Sequence, residues 1–315
     1  MPAVPRSSDP SSSPARLVHE PGEGIAVVML TMNQCDKTVR CLSSFGKVTS
    51  PPHRIVLWDN GSRDGTVETV RKLFPDVLTH HSPTNLGVAS GRNAGAALAI
   101  ERFSPSHLLF IDNDMIVAPD FISALFAPFS TGDSALAQTS AKIKFMDDEQ
   151  YLYSAGGSRV RFWLGETKPI GHGERDHGQH DEPKHCIAQG GAMLVRTDVF
   201  QQLGGFDPAF NPYGPEDLDF ALRARQAGYY SLYIPQAVVF HERSQTFEDG
   251  RYTERYANNK AQKWFLFMNR HATWMQRLGF YLIGAPFLLT RTLIREGRKG
   301  NFAAVKGLIS SAKHH

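Results

Sequence analysis

The sequence predicts an α/β fold: a mostly parallel sheet flanked by helices, with a C-terminal helical extension. Three observations carry that expectation. From Ile25 onward, short apolar runs alternate with helical stretches, the pattern of strands joined by crossover helices. Thr31, Asn33, Asp59 and Asp112 fall at the carboxyl ends of those runs, where open α/β sheets gather their ligands. The 315 residues are 41% hydrophobic and 21% charged, the balance of one large globular domain or a domain with an appendage.

Residues 1–24 are rich in Pro and Ser and lack the roughly 7–15-residue apolar core of a signal peptide, so they read as a disordered leader on a cytoplasmic protein. Ile25–Thr31 is a buried-strand run, followed by a helix around Lys37 to Phe45. Arg54–Trp58 is a second strand ending in the turn Asp59-Asn60-Gly61-Ser62. Asp64-Gly65-Thr66 opens a helix that runs to about Phe74, with Asp64 as its candidate N-cap. A short strand near Val77–His80 leads through Asn85-Leu86-Gly87 into a helix to about Ile100. Gly87, Gly91 and Gly95 recur every fourth residue there, lining one face for close packing on a sheet. Arg92-Asn93 beside them suits a phosphate.

The fourth strand, His107–Ile111, ends in Asp112-Asn113-Asp114. A strand puts residues i and i+2 on one face, so the two carboxylates converge. Convergent anions call for a cation between them, and Mg²⁺ or Mn²⁺ commonly bridges carboxylates to substrate phosphates. Asp and Asn are also ordinary turn residues, so the triplet alone does not decide. The glycine fingerprint of dinucleotide-binding dehydrogenases is missing after the first strand, where Thr31-Met32-Asn33-Gln34 stands instead.

In the second half, Thr167–Cys186 is polar and carries His172, His177, His180 and His185. Their spacing does not suit zinc, and a mobile loop on the acceptor side is expected. Gln189–Val195 reads as a strand whose Gly190 and Gly191 let a ligand approach the backbone. Pro215 suits a first helical turn and sets Glu216, Asp217 and Asp219 at the positive end of the helix dipole. That helix stops near Gly228, and two strands, Tyr230–Tyr233 and Ala237–Phe240, lead to His241. Three scattered cysteines, Cys35, Cys41 and Cys186, make no disulfide framework and fit a reducing compartment.

Tyr252–His315 reads as helices. Residues 251–315 hold twelve Lys/Arg against two Asp/Glu, while the rest of the chain holds 22 against 29. A basic tail on an acidic body points to an anionic contact, a membrane surface or a phosphate-bearing acceptor. No stretch reaches the ~18 uncharged apolar residues of a membrane span; the nearest, Leu278–Thr290, is bracketed by Arg277 and Arg291.

Taken in order, Val-Val-Met-Leu-Thr-Met-Asn33, Asp59-Asn-Gly-Ser-Arg-Asp-Gly-Thr66, Asn85-Leu-Gly with Gly91-Arg-Asn-Ala-Gly95, Asp112-Asn-Asp114, Gly190-Gly191, Gly205-Phe-Asp207, Glu216-Asp-Leu-Asp219 and His241 resemble the family 2 glycosyltransferases. The resemblance covers about Ile25 to His271 and leans towards bacterial rhamnosyltransferase-like and galactofuranosyltransferase-like members that build surface glycans. It implies a GT-A, Rossmann-like domain at 25–250. The basic helical region at 251–315, read from its own apolar face and basic flanks, is expected to dock on a membrane interface, the alternatives being the body of the domain or a second subunit. The resemblance further implies that Thr31, Asn33 and Asp59 hold base and ribose, and that Arg92 and Asn93 lie near the diphosphate or donor sugar. Asp112 and Asn113 would border ribose and metal, with Asp114 and His241 as metal ligands beside Asp112. Asp217 would be the catalytic base, with Glu216, Asp219, Gly190 and Gly191 shaping the acceptor site.

The implied reaction is inverting, uses Mn²⁺ or Mg²⁺, and moves a sugar from a UDP- or dTDP-linked donor to a saccharide or lipid-linked acceptor. The Gln-x-x-Arg-Trp motif and membrane spans of processive synthases are missing, since Gln262-Lys-Trp264 is not that motif, so a non-processive enzyme is expected. Its expected place is the cytoplasm or the inner face of the cell membrane, without a nucleic-acid partner. The rival readings are a sugar-nucleotide nucleotidyltransferase and a non-catalytic glycan-binding protein on the same fold.

Overall fold

The computed structural model describes residues 24–48, 53–188, 191–242, 253–298 and 306. The leader up to residue 23, Gly190 and most of the tail beyond residue 298 lie outside them.

The amino-terminal half alternates as expected: β1 (Ile25–Thr31), α1 (Cys35–Phe45), β2 (His53–Asp59), α2 (Thr66–Leu73), β3 (Leu78–His81), α3 (Val88–Phe103) and β4 (His107–Asp112). β1 pairs in parallel with β2 and β4, and β2 with β3. Both faces of these strands are covered, which is why they read as continuous apolar runs. Val27, Met29, Leu109 and Ile111 meet Leu42 of α1 on one side; Ala26, Val28, Leu108 and Phe110 meet Ala96 of α3 on the other. The glycine ladder of α3 makes that second contact close. A Cβ at Gly91 would stand 2.6 Å from Leu30 Cδ1, and one at Gly95 2.9 Å from Val28 Cγ1.

Past the acidic triplet come β5 (Met115–Val117), α4 (Phe121–Phe126), β6 (Leu136–Phe145), β7 (Leu152–Ala155), β8 (Ser158–Arg161), β9 (Glu166–Pro169), β10 (Lys184–Cys186), β11 (Ala192–Arg196) and α5 (Thr197–Gln202). Then follow α6 (Glu216–Gln226), β12 (Tyr230–His241), α7 (Glu254–His271), α8 (Trp274–Gly279) and α9 (Ala285–Arg298), the last two joined by a π turn at Phe280–Gly284. The ten-stranded sheet runs β10-β12-β6-β11-β4-β1-β2-β3, with β5 beside β12 and β7 beside β6; β8 and β9 form a separate hairpin. β12 and β6 are parallel, whereas β11 is antiparallel to both its neighbours, so the sheet is mixed but mostly parallel along its main order.

Three expectations are corrected. Tyr230–His241 is one strand rather than two, interrupted by a register shift between Ile234 and Val238 around Pro235, which has no N–H for the ladder. Asp64 is not the residue next to α2, since Gly65 intervenes at φ 79°. Its carboxylate nevertheless accepts from Thr66 N at 3.2 Å and, through its other oxygen, from Cys35 N at 3.1 Å, so one side chain serves the first amides of α1 and α2. Finally, the stretch 167–186 is pinned rather than loose. Lys142 on β6 reaches Asp176 and Asp181, Lys144 reaches Asp176 at 2.9 Å, and β10 joins the sheet edge.

Candidate active site

The carboxyl ends of β1 and β4, the start of α3 and the loop before α6 enclose a cavity of about 630 Å³. Its lining includes Thr31, Met32, Asn60, Asn85, Arg92, Asp112, Asn113 and Tyr213. Volume and mixed lining suit a nucleotide-sized ligand.

Its floor is a polar knot. Thr38 Oγ1 spends its proton on Gln34 O, so Thr31 donates to Thr38 (2.8 Å), and Asn113 Nδ2 donates to both hydroxyls at 3.1 and 3.0 Å. Beside it Asn60 Nδ2 donates to Asn85 Oδ1 (2.8 Å), while Leu86 N donates to Asn60 Oδ1 (3.0 Å). Asn60 and Asn85 stand in the sequence motifs, but an asparagine after a strand is too ordinary to have marked them out.

Arg92 is buried and holds Asp112 at 2.6 Å with one guanidinium nitrogen and Glu216 at 3.0 Å with another. Burial works against its charge, but Asp112 and Glu216 outweigh it and hold the guanidinium ionised. Glu216 is driven the other way: burial pushes its carboxyl up to about 8, with Arg92 pulling back, and its Oε2 is buried without a hydrogen bond. The consequence is spatial. One arginine ties the end of β4 to the start of α6, which brings half-buried Asp217 to the same cleft; its Oδ1 accepts from Leu218 N at 2.8 Å.

On the far side of Asp112 stands Asp114. Burial and then the Asp112 carboxylate push it above the usual range, while His241 and Lys37 pull it down. Its Oδ1 is buried without a hydrogen bond and lies 3.5 Å from His241 Nε2. A buried carboxylate oxygen and an imidazole facing each other are donors of a kind that fits a divalent cation. Among the described residues no three His, Cys, Asp or Glu side chains stand together as a finished cage; Asp112 spends one oxygen on Arg92. Gly191 borders the same carboxylate, since a Cβ there would meet Met115 Cε at 2.8 Å and Asp112 Oδ2 at 3.1 Å.

Tyr153 went unread in the sequence. Its ring packs on His241 at 4.6 Å between centroids, and His172 and Phe145 pack on it in turn. Burial raises the phenol above its ordinary value, and Asp112, Asp114 and Asp217 each add to that. A single hydroxyl thus feels the strand-end pair and the helix carboxylate together.

Four expected ligand contacts are not offered. Asp59 is wholly buried and accepts from Ser62 N at 3.0 Å and faces His81 Nδ1 at 2.6 Å, so it shapes the turn while Asn60 faces the cavity. Asn33 is exposed at φ 51° and accepts from Arg63 N at 2.8 Å, outside the lining. Asn93 is spent on both backbone groups of Phe206, at 2.7 and 2.9 Å. Asp219 is fully buried against His271 and Arg223, both at 2.8 Å, so it joins α6 to α7 rather than meeting an acceptor.

A family model described as glycosyl transferase family 2 matches residues 26–204, and one described as N-terminal domain of galactosyltransferase matches 183–250. The N-acetylglucosaminyl-diphospho-decaprenol L-rhamnosyltransferase of Mycobacterium tuberculosis is 27% identical over 305 residues, covering 90% of this chain and 98% of that protein. Among solved structures, GalNAc-T7 with UDP, GalNAc and Mn²⁺ superposes with a TM-score of 0.59 at 20% identity, over 75% of this chain and 48% of that one. The mannosyltransferase PcManGT from Pyrobaculum calidifontis, in complex with GDP-Man and Mn²⁺, gives 0.55 at 17% identity, over 95% and 77%. At those identities the likeness concerns the GT-A fold.

Proposed function

Because the chain belongs to glycosyl transferase family 2, we propose that it transfers one sugar, with inversion, from a nucleoside-diphosphate donor to an acceptor hydroxyl in the synthesis of a bacterial surface glycan or glycolipid. The observation that carries this reading is the Arg92 bridge, which joins the acidic strand end to the helix bearing Asp217.

The nucleoside lies in the cavity against Thr31, Asn60, Asn85 and Asn113. Arg92 fixes the Asp112 and Glu216 carboxylates at the cavity's inner end, and Gly191 leaves room for the donor sugar. Asp217 takes the proton of the acceptor hydroxyl as its oxygen bonds to the anomeric carbon and the nucleoside diphosphate departs from the opposite face. Mn²⁺ or Mg²⁺ held by Asp114 and His241, with Asp112 alongside, would supply positive charge against the departing diphosphate.

The name of the mycobacterial relative supports a lipid-linked acceptor and a deoxyhexose, so a dTDP-linked sugar is the first donor to test and UDP-linked sugars the second. Among the described residues no helix is long and apolar enough to cross a membrane. A lipid-linked acceptor would be met at the inner membrane face by a peripheral contact.

Asp217→Asn should lower kcat by ~10²–10⁴-fold while leaving donor affinity by calorimetry unchanged; Asp114→Ala should weaken metal-dependent donor binding as well. Near-native turnover by Asp217→Asn would remove the base assignment. Release of pyrophosphate from a nucleoside triphosphate would turn the reading to a nucleotidyltransferase.

A further inference from the structure

We propose that a composite apolar face, built from the Trp163 turn and the α8–α9 segment, docks on an anionic lipid surface and fixes the cleft's orientation to it. The inference deepens the reading above and rests on it for the acceptor, though not for the contact itself.

The face is made of large side chains left in solvent: Trp274 is 69% exposed, Leu282 68%, Ile283 55%, Leu278 53%, Trp163 50% and Phe287 47%. Isolated exposed apolar residues are ordinary, but a contiguous group of this size marks a contact surface. Two elements share it and are seated tightly. A Cβ at Gly284 would stand 2.6 Å from Trp163 O, one at Gly279 would stand 3.5 Å from Trp163 Cβ, and Arg291 reaches Glu166 at 2.6 Å.

Charge selects the occupant. Arg277, Arg291, Arg295 and Arg298 flank the face, and Glu296 is the single acidic residue between 272 and 298. Tryptophan with arginine is the composition of a membrane interface, and such a helix lies on a bilayer rather than through it. A second copy would bring two basic faces together, an opposed arrangement. Anionic headgroups take Arg277 and Arg298 while the acyl boundary takes the rings.

The face is also tied to the chemistry. α7 leads directly into it and grips the catalytic side of the molecule: His271 Nε2 meets Asp219 at 2.8 Å, Arg270 meets Asp207 at 2.5 Å, and Lys263 Nζ donates to Ala209 O at 2.7 Å. A docked face therefore holds α6, and Asp217 with it, at a set height above the lipid.

Flotation of the full chain with phosphatidylcholine vesicles, with and without phosphatidylglycerol, tests this. The wild type should float with the phosphatidylglycerol vesicles, and the triple variant Trp274→Ser/Leu282→Ser/Phe287→Ser, its thermal midpoint checked, should partition roughly ten-fold less or worse. Equal flotation of wild type and variant overturns the proposal. So does failure to float coupled to a concentration-dependent dimer that the variant abolishes. Donor hydrolysis is followed in parallel without vesicles. Flotation without hydrolysis by any donor removes the sugar-transfer reading and leaves the surface standing; hydrolysis without flotation removes only the surface.

Discussion

Arg92 does what no lysine could, because its planar fork meets two carboxylates on different elements with separate nitrogens. Arg92→Lys should satisfy one of them and leave the other buried and unpaired. The loss of a charge-assisted bond of about 1.5–3 kcal/mol corresponds to a fall of about ten- to a hundred-fold in kcat/KM, read by steady-state kinetics. His107 tests residue-level physics away from the cleft. Burial, helped by Arg196, depresses its imidazole to about 4, and Phe126 and Phe129 pack against the ring at 5.1 and 4.4 Å. The unfolded chain takes up this proton as pH falls through about 6.5, whereas the folded chain resists until about 4. Stability from this group is therefore whole above 6.5 and lost towards 4, on the order of 3 kcal/mol. Urea titrations at pH 7 and pH 4.5 should show His107→Leu losing less stability between them than the wild type. The polar strand ends were legible as a site because position along a strand dictates where a side chain leaves the sheet. Their partners were not legible. Asp59, Asn93 and Asp219 look like ligands in a list of polar residues, yet each is consumed by a neighbour more than 20 positions away or by its own turn.

At the scale of elements, β1 to β4 were readable because their side chains are apolar on both faces. β6 was not, although it lies between β12 and β11 in the same sheet. Gln138, Thr139, Ser140 and Lys142 break its pattern, and all four are buried. Three find partners that sequence spacing does not reveal: Gln138 accepts from Ser231 at 2.7 Å, Thr139 donates to Leu125 O at 2.9 Å, and Lys142 bonds Asp176 at 3.3 Å. The joint between α6 and α7 is of the same kind. Asp219→Asn should weaken a hydrogen-bonded charge cluster and destabilise the fold by about 1.5–3 kcal/mol. Donor affinity should stay as it was, since Asp219 does not line the cavity. Paired thermal melts and donor calorimetry on this variant separate a joint from an acceptor-site residue.

For the molecule as a whole, ligand linkage gives a measure of the site without any acceptor. A nucleoside diphosphate at about 100 times its Kd, with Mn²⁺ present, should add about 2.7 kcal/mol to unfolding stability. A chelator should erase most of that gain in the wild type and change little in Asp114→Ala. The acidic body and basic tail were evident from composition, whereas the direction in which the tail presents its apolar side chains was not. That direction depends on the π turn at Phe280–Gly284. A regular helix advances roughly 100° per residue, so an uninterrupted segment would set Trp274 and Leu278 on one side and Ile283, Phe287 and Ile294 on nearly the opposite one. The wider turn absorbs one extra residue and rotates everything after it back by about the same angle. Were that turn to close into a regular helix with every residue kept, composition and helix content would stay almost untouched, yet a single keel would split into two half-stripes pointing apart; removing one residue there should leave the keel whole.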